Sequence, residues 1–156
     1  MTPVHLEEIA ARLAAAHVSK QRFVWQHEPE APDLADAYRL QDRVRSLLDD
    51  GARATAWKVS PPRSGAPPVA APVPGVRCFA SPVSLAASGF PMLGVEVEVA
   101  FRFGRDLPRR TDLSRDDEVF DAVEAMLVVL ELCDTRLESW REAPPMWKLA
   151  DFQSNG

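Results

Sequence analysis

Glu96, Glu98 and Glu131 are the residues whose types and spacing best suit chemistry. The first two sit in residues 95–103, Val-Glu-Val-Glu-Val-Ala-Phe-Arg-Phe, an alternation with the two-residue period of a β-strand. Both carboxylates then share one strand face, about 6.6 Å apart along the backbone. They repel each other unless water or a cation lies between them. A solvated face on a half-buried antiparallel strand would account for the same pattern. Glu131 is harder to explain that way. It interrupts residues 125–133, Ala-Met-Leu-Val-Val-Leu-Glu-Leu-Cys, a run that reads as buried on both faces. A carboxylate there needs a hydrogen bond, a cation or a metal. Together the three glutamates would form an all-oxygen site suited to a hard divalent cation, Mg²⁺ or Mn²⁺.

Lys58 is the other candidate. Residues 55–60, Thr-Ala-Trp-Lys-Val-Ser, have strand composition and put Lys58 on the face opposite Trp57 and Val59. It is one of three lysines against fifteen arginines. Lysine is the cation whose pKa burial lowers toward neutrality, which suits it to general acid/base work; the competing role is an edge-strand lysine that discourages aggregation. His5, His17 and His27 fall in or beside polar segments and converge on no other ligand, so they are assigned structural or solvent roles. Cys78 and Cys133 lack any Cys-x-x-Cys or Cys/His spacing and read as reduced core residues rather than a disulfide or a zinc site.

The elements that must position these groups follow from periodicity and punctuation. Leu6, Ile9, Ala10, Leu13 and Ala14 recur at helical spacing after Thr2-Pro3. Asp33 starts a second helix with Leu34, Ala37, Tyr38, Gln41, Val44 and Leu48 on one face, and Gly51 ends it. Residues 61–74 hold six prolines and one glycine, which excludes a helix or a central strand and predicts an extended segment. A short strand is expected around residues 76–79 and a turn over 89–94. After a loop at 104–108, Ser114 with Asp117 three residues on suggests a helix N-cap. That helix is expected to run through Val119, Phe120, Val123 and Met126 before the strand that carries Glu131. The order strand, loop, helix, strand reads as a crossover unit that brings Glu131 beside Glu96 and Glu98. Residues 134–156 read as polar and loop-like apart from Trp140, Trp147 and Leu149.

A chain of 156 residues, 46% of them hydrophobic, fits one domain of ordinary size. Its net charge of -5 provides no basic stripe for a nucleic-acid partner. Residues 1–16 carry Glu7 and Glu8 inside a helical pattern and lack the form of a signal peptide, and no apolar run reaches membrane-spanning length. The expectation is a cytoplasmic protein with neither nucleic-acid nor membrane partners.

Several segments together resemble a known family. Tyr38-x-x-Gln41, Trp57-Lys58-Val59, the stretch from Gly94-Val-Glu-Val-Glu to Gly104-Arg-Asp-Leu-Pro108, Leu130-Glu-Leu-Cys-Asp-Thr-Arg136 and Ala150-Asp-Phe-Gln-Ser-Asn-Gly156 are similar to the 2-keto-4-pentenoate hydratase/4-oxalocrotonate decarboxylase family of the fumarylacetoacetate hydrolase superfamily. The resemblance implies an α+β fold, with N-terminal helices followed by part of a fumarylacetoacetate-hydrolase-like mixed β-roll. On that reading residues 1–75 form the helical region with one strand and the Pro-rich loop, and residues 76–156 form the first part of the β-rich catalytic domain.

The activity implied is that of a divalent-metal-dependent lyase. It adds water to a 2-hydroxy-2,4-dienoate or 2-oxo-enoate in aromatic meta-cleavage catabolism, or decarboxylates a sister 2-oxo acid. The alternatives are an acylpyruvate-type carbon-carbon bond hydrolase and a non-catalytic fragment or partner subunit. The resemblance assigns Glu96, Glu98 and Glu131 to Mg²⁺ or Mn²⁺, Lys58 to acid/base catalysis, and Ser154 and Asn155 to substrate binding near a frayed chain end. It also implies a homo-oligomer. Family members continue past the Ser-Asn-Gly with further strands, so the chain is expected to be an N-terminal portion with an unfinished sheet, an open apolar face and little turnover alone. The hydratases usually carry an acidic residue soon after the glycine that matches Gly75, whereas Gly75-Val-Arg-Cys-Phe-Ala-Ser81 has none.

Overall fold

The structure, a computed structural model, describes residues 1–48, 54–62, 67–73, 77–108 and 115–156. The described residues form a mixed α+β protein of helices and two small antiparallel sheets. Two compact units are present, one made of Met1–Gly94 with Cys133–Gly156 and the other of Val95–Leu132. Gly51 and Ser114, expected as a helix end and a helix cap, lie outside the described residues. Among the described residues no helix is long and apolar enough to cross a membrane.

In the first unit, helix α1 (Pro3–Ser19) begins as its sequence requires: the Thr2 hydroxyl accepts from the His5 amide, and Pro3 occupies a position whose N–H would be unsatisfied anyway. Helix α2 (Leu34–Leu48) is capped by Asp33, whose carboxylate accepts from the Asp36 amide at 2.8 Å. Leu6, Ile9, Ala10 and Leu13 of α1 and Ala37, Leu40 and Val44 of α2 are buried in one core, and the two helices pack together.

Strands β1 (Ala56–Ser60) and β2 (Val69–Val73) pair antiparallel from Ala56↔Val73 to Ser60↔Val69. The Pro-rich stretch therefore contains a paired strand, not merely an extended segment. Pro72, opposite Trp57, is tolerated because both strands of a two-stranded sheet are edges and its missing N–H need not reach a second neighbour. The strand expected around 76–79 is absent over residues 77–79, and Cys78, expected in the core, is exposed.

The largest departure from the sequence reading is residues 134–156. These contain helix α4 (Pro145–Ala150) and much of the core: Leu137, Ala143, Trp147, Leu149, Ala150 and Phe152 are all buried. Asp134, Thr135, Arg136 and Asp151 are buried as well. Phe23 donates its amide to the Arg136 carbonyl and accepts from Glu138, which ties this segment to the chain just after α1. Gln41 of α2 donates to the Leu149 carbonyl of α4.

The second unit is built on strands β3 (Gly94–Phe103) and β4 (Val123–Cys133) with helix α3 (Asp116–Ala122) between them. Glu118 reaches back to the Arg115 amide at the start of α3, so the cap is at Arg115. The helix stops at Ala122, and Val123 and Met126 belong to β4 rather than to the helix. The two strands form an antiparallel pair, not the crossover unit expected: the Gly104 amide donates to Ala122 at one end, while Gly94 lies against Cys133 at the other. A side chain at Gly94 would put its Cβ 2.9 Å from that of Cys133, closer than carbon atoms pack, so this crossing requires glycine. Val95, Val97, Val99, Phe101 and Phe103 of β3 are exposed, as are Met126, Val128 and Leu130 of β4.

Candidate functional site

The alternation of β3 works as the sequence suggests, with the apolar side chains on one face and Glu96, Glu98, Ala100 and Arg102 on the other. Glu96 is exposed, whereas Glu98 and Glu131 are half-buried. Antiparallel pairing carries Glu131 of β4 to Glu96, and carboxylate oxygens of the two lie within 4.8 Å of each other. The third member of that group is the buried Cys133 thiol, and Glu98 stands outside it. It shares the face but is displaced about 6.6 Å along the strand.

For Glu96 and Glu131, two unit charges 4.8 Å apart repel by about 1 kcal/mol in water and by about 3 to 4 kcal/mol at an effective dielectric of 20. A divalent cation between them reverses the sign. Oxygens on one Mg²⁺ at about 2.1 Å are at most about 4.2 Å apart, so small rotations of either side chain bring the pair to ligand distance. Hard carboxylate donors also suit Mg²⁺ or Mn²⁺ better than a soft metal. The two carboxylates suit the expected ion, while the Cys133 thiol in the same group is a softer donor that Mg²⁺ and Mn²⁺ do not favour. Elsewhere on the hairpin, Glu124 is engaged by Arg102 at 2.9 Å.

Lys58 lies in the first unit, on β1, and is half-buried between exposed Trp57 and Val59. Two residues along the same face, the Ser60 hydroxyl hydrogen-bonds the Gln153 amide oxygen. Gln153 also donates to the Val69 carbonyl of β2. The β1 face that carries Lys58 thus reaches the segment that includes Ser154 and Asn155.

That segment is anchored, not frayed. Phe152, Gln153 and Ser154 have φ of 55°, 55° and 61°, three successive non-glycine residues in the left-handed region. Each such residue costs on the order of 1 kcal/mol or more. The turn is held because Phe152 is buried with its ring 5.2 Å from that of His17, and the Ser154 carbonyl accepts from the Asp134 amide. Asn155 bridges to Cys133 and is itself buried, with its Nδ2 lacking a hydrogen-bond partner among the described residues.

Sequence reasoning missed the polar group behind this turn. Asp151 accepts from the Thr135 hydroxyl at 2.7 Å, the Arg136 amide at 2.9 Å and Arg136 Nε at 2.6 Å, while its carbonyl accepts from Arg136 Nη2. His17 lies beside it, with Nε2 3.9 Å from Asp151 and Nδ1 3.2 Å from an Arg77 nitrogen. Burial, and then the positive charges of Arg136, Arg77 and Lys20, hold the His17 pKa well below its ordinary value. The available signal was a charged Asp-Thr-Arg directly after an apolar strand, where a surface loop would more simply follow. No family model and no curated protein matches this chain.

Proposed function

We propose that this protein is a divalent-metal-dependent lyase acting on a 2-hydroxy-2,4-dienoate or 2-oxo-enoate, with a fumarylacetoacetate-hydrolase-like fold. The observation that carries the reading is the approach of Glu96 and Glu131 on paired strands. The motif resemblance around Lys58, Glu96, Glu98, Glu131 and the closing Ser154-Asn155 supports it. When bound, Mg²⁺ or Mn²⁺ supplies Lewis acidity toward a 2-oxo acid substrate. Glu96 and Glu131 hold the ion, and Glu98 adds negative charge on the same face. Lys58 is given the proton transfer at substrate carbon, a role suited to a half-buried lysine. Ser154 and Asn155 are given the polar end of the substrate, and the buried Asn155 Nδ2, without a partner among the described residues, is a donor of the right kind.

The test is titration with Mn²⁺ alone, followed by ultraviolet assay of 2-hydroxypenta-2,4-dienoate with the metal present. Uptake of one Mn²⁺ that is lost in Glu131→Gln and kept in Glu124→Gln is the expected result. Unchanged uptake in Glu131→Gln overturns the site. Consumption of the dienoate by hydration separates the hydratase from the decarboxylase, which releases CO₂, and from an acylpyruvate hydrolase, which releases a carboxylic acid.

A further inference from the structure

Lys20, Arg22 and Arg136 of the first unit line one crevice, with Asp134 as its carboxylate and about 180 Å³ of empty space between them. Their charges are unequally matched. Arg136 is compensated by Asp151, whose carboxylate lies 2.6 Å from its Nε. Arg22 comes only to 3.5 Å from Asp134, beyond the roughly 2.7 to 2.9 Å of a charge-assisted hydrogen bond, and its side chain is 29% exposed. The same Asp134 oxygen is already taken by the Met92 amide at 3.1 Å. Lys20 has no ion pair among the described residues. An ammonium and the fork of a guanidinium thus face the crevice beside a single carboxylate, in a chain whose overall charge is -5.

Two titratable groups register this local excess. Burial, then Arg77, lowers the Lys20 pKa, and Arg136 and Arg22 act in the same direction against Asp134. His17, one turn back on α1, is lowered by burial and then by Arg136, Arg77 and Lys20. The position of Lys20 at the C-cap of α1 accounts for one cation, since a helix end favours positive charge, but it leaves Arg22 without a well-matched partner. The space is too small for a drug-sized ligand, which needs roughly 300 Å³ or more, and suits one charged group.

We propose that this crevice is a binding site for a single small oxyanion, a phosphate or carboxylate group held between the Lys20 ammonium and the Arg22 guanidinium. Asp134 orients Arg22 and, by its own charge, keeps the site weak. The site uses neither the glutamates of β3 and β4 nor Lys58, so it stands or falls apart from the lyase activity.

The test is titration of the full chain with inorganic phosphate, and separately with acetate, at constant ionic strength, read by amide chemical shifts. Saturable shifts in the millimolar range at residues 20–22 and 134–136 are expected, and the anion that gives them distinguishes a phosphate site from a carboxylate site. Lys20→Asn, in which asparagine tolerates the φ of 63° at that cap, and Arg22→Gln should each weaken binding by roughly tenfold. Asp134→Asn, which keeps an acceptor for the Met92 amide, should tighten it by about threefold, a gain that a purely structural role for these cations would not produce. Arg43→Gln, whose guanidinium pairs with Glu7, should leave binding unchanged. Where a variant fails to fold, the titration of the unaltered protein decides. Shifts that stay linear with both anions overturn the proposal, and so does saturation that persists in both Lys20→Asn and Arg22→Gln.

Discussion

Replacing Asp151 with alanine is expected to be among the most damaging single changes to the first unit. The carboxylate is fully buried and accepts three hydrogen bonds, two from Arg136 and one from Thr135. Arg136 is itself buried, so the truncation leaves a guanidinium with no counter-charge and a hydroxyl with no acceptor. Breaking a buried pair in this way costs about 3 to 5 kcal/mol, a large share of the roughly 5 to 15 kcal/mol that holds a typical domain together. With a urea dependence of about 2 kcal/mol per molar, the unfolding midpoint should fall by about 2 M. Urea titration followed by tryptophan fluorescence reads this directly, because Trp147 is buried in the same core. Asp151→Asn keeps an acceptor for Thr135 and the Arg136 amide and should lose less. The double change Arg136→Met with Asp151→Leu should recover most of the deficit, since it removes both charges. A loss below about 1 kcal/mol for Asp151→Ala would show that water reaches Arg136 and refute the account of a dry, mutually compensated pair.

Other expectations follow from the same geometry. Because the His17 pKa is depressed in the fold, the unfolded chain takes up a proton that the folded one refuses as pH drops. Its contribution is therefore complete above the ordinary histidine value of about 6.5 and declines below it at up to about 1.4 kcal/mol per pH unit. Denaturant midpoints between pH 7 and 5 should show this slope, and His17→Leu should flatten it. Asp33→Ala should cost about 0.5 to 2 kcal/mol through loss of the α2 cap, read as a drop in melting temperature. Mn²⁺ at a hundred times its dissociation constant should stabilise the protein by about 2.7 kcal/mol, and Glu96→Gln should abolish the shift in melting temperature.

The two long helices were legible because periodicity and capping agree: Thr2-Pro3 and Asp33 each precede a regular apolar face. Glu131 stood out as an acid placed in an apolar run, but the crossover expected to bring it beside Glu96 and Glu98 is an antiparallel pair, and Glu98 stands outside the group. Nineteen residues between strands, Gly104 to Ala122, suit either a crossover or a long antiparallel return, and sequence carries no term that chooses. The end of α3 was misplaced because Val119, Phe120, Val123 and Met126 fit helical spacing while the β-branched run of β4 begins inside it. The core of residues 134–156 was hidden for a different reason. Asp134, Arg136 and Asp151 look solvent-exposed one at a time, and Arg136 and Asp151 are buried only because they compensate each other across fifteen positions.

The discontinuity of the first unit has a consequence for its synthesis. Helices α1 and α2 emerge from the ribosome early, yet Trp147, Leu149 and Phe152, which complete their core, lie roughly a hundred residues further on. At about 5 to 20 residues per second, the apolar faces of the two helices stay without their final neighbours for several seconds or more. During that interval the nascent chain must also form a second apolar surface on β3 and β4. The protein is therefore expected to depend on chaperone protection during translation more than a domain of its size with contiguous elements. Slowing translation within residues 95–132 should lower the soluble yield.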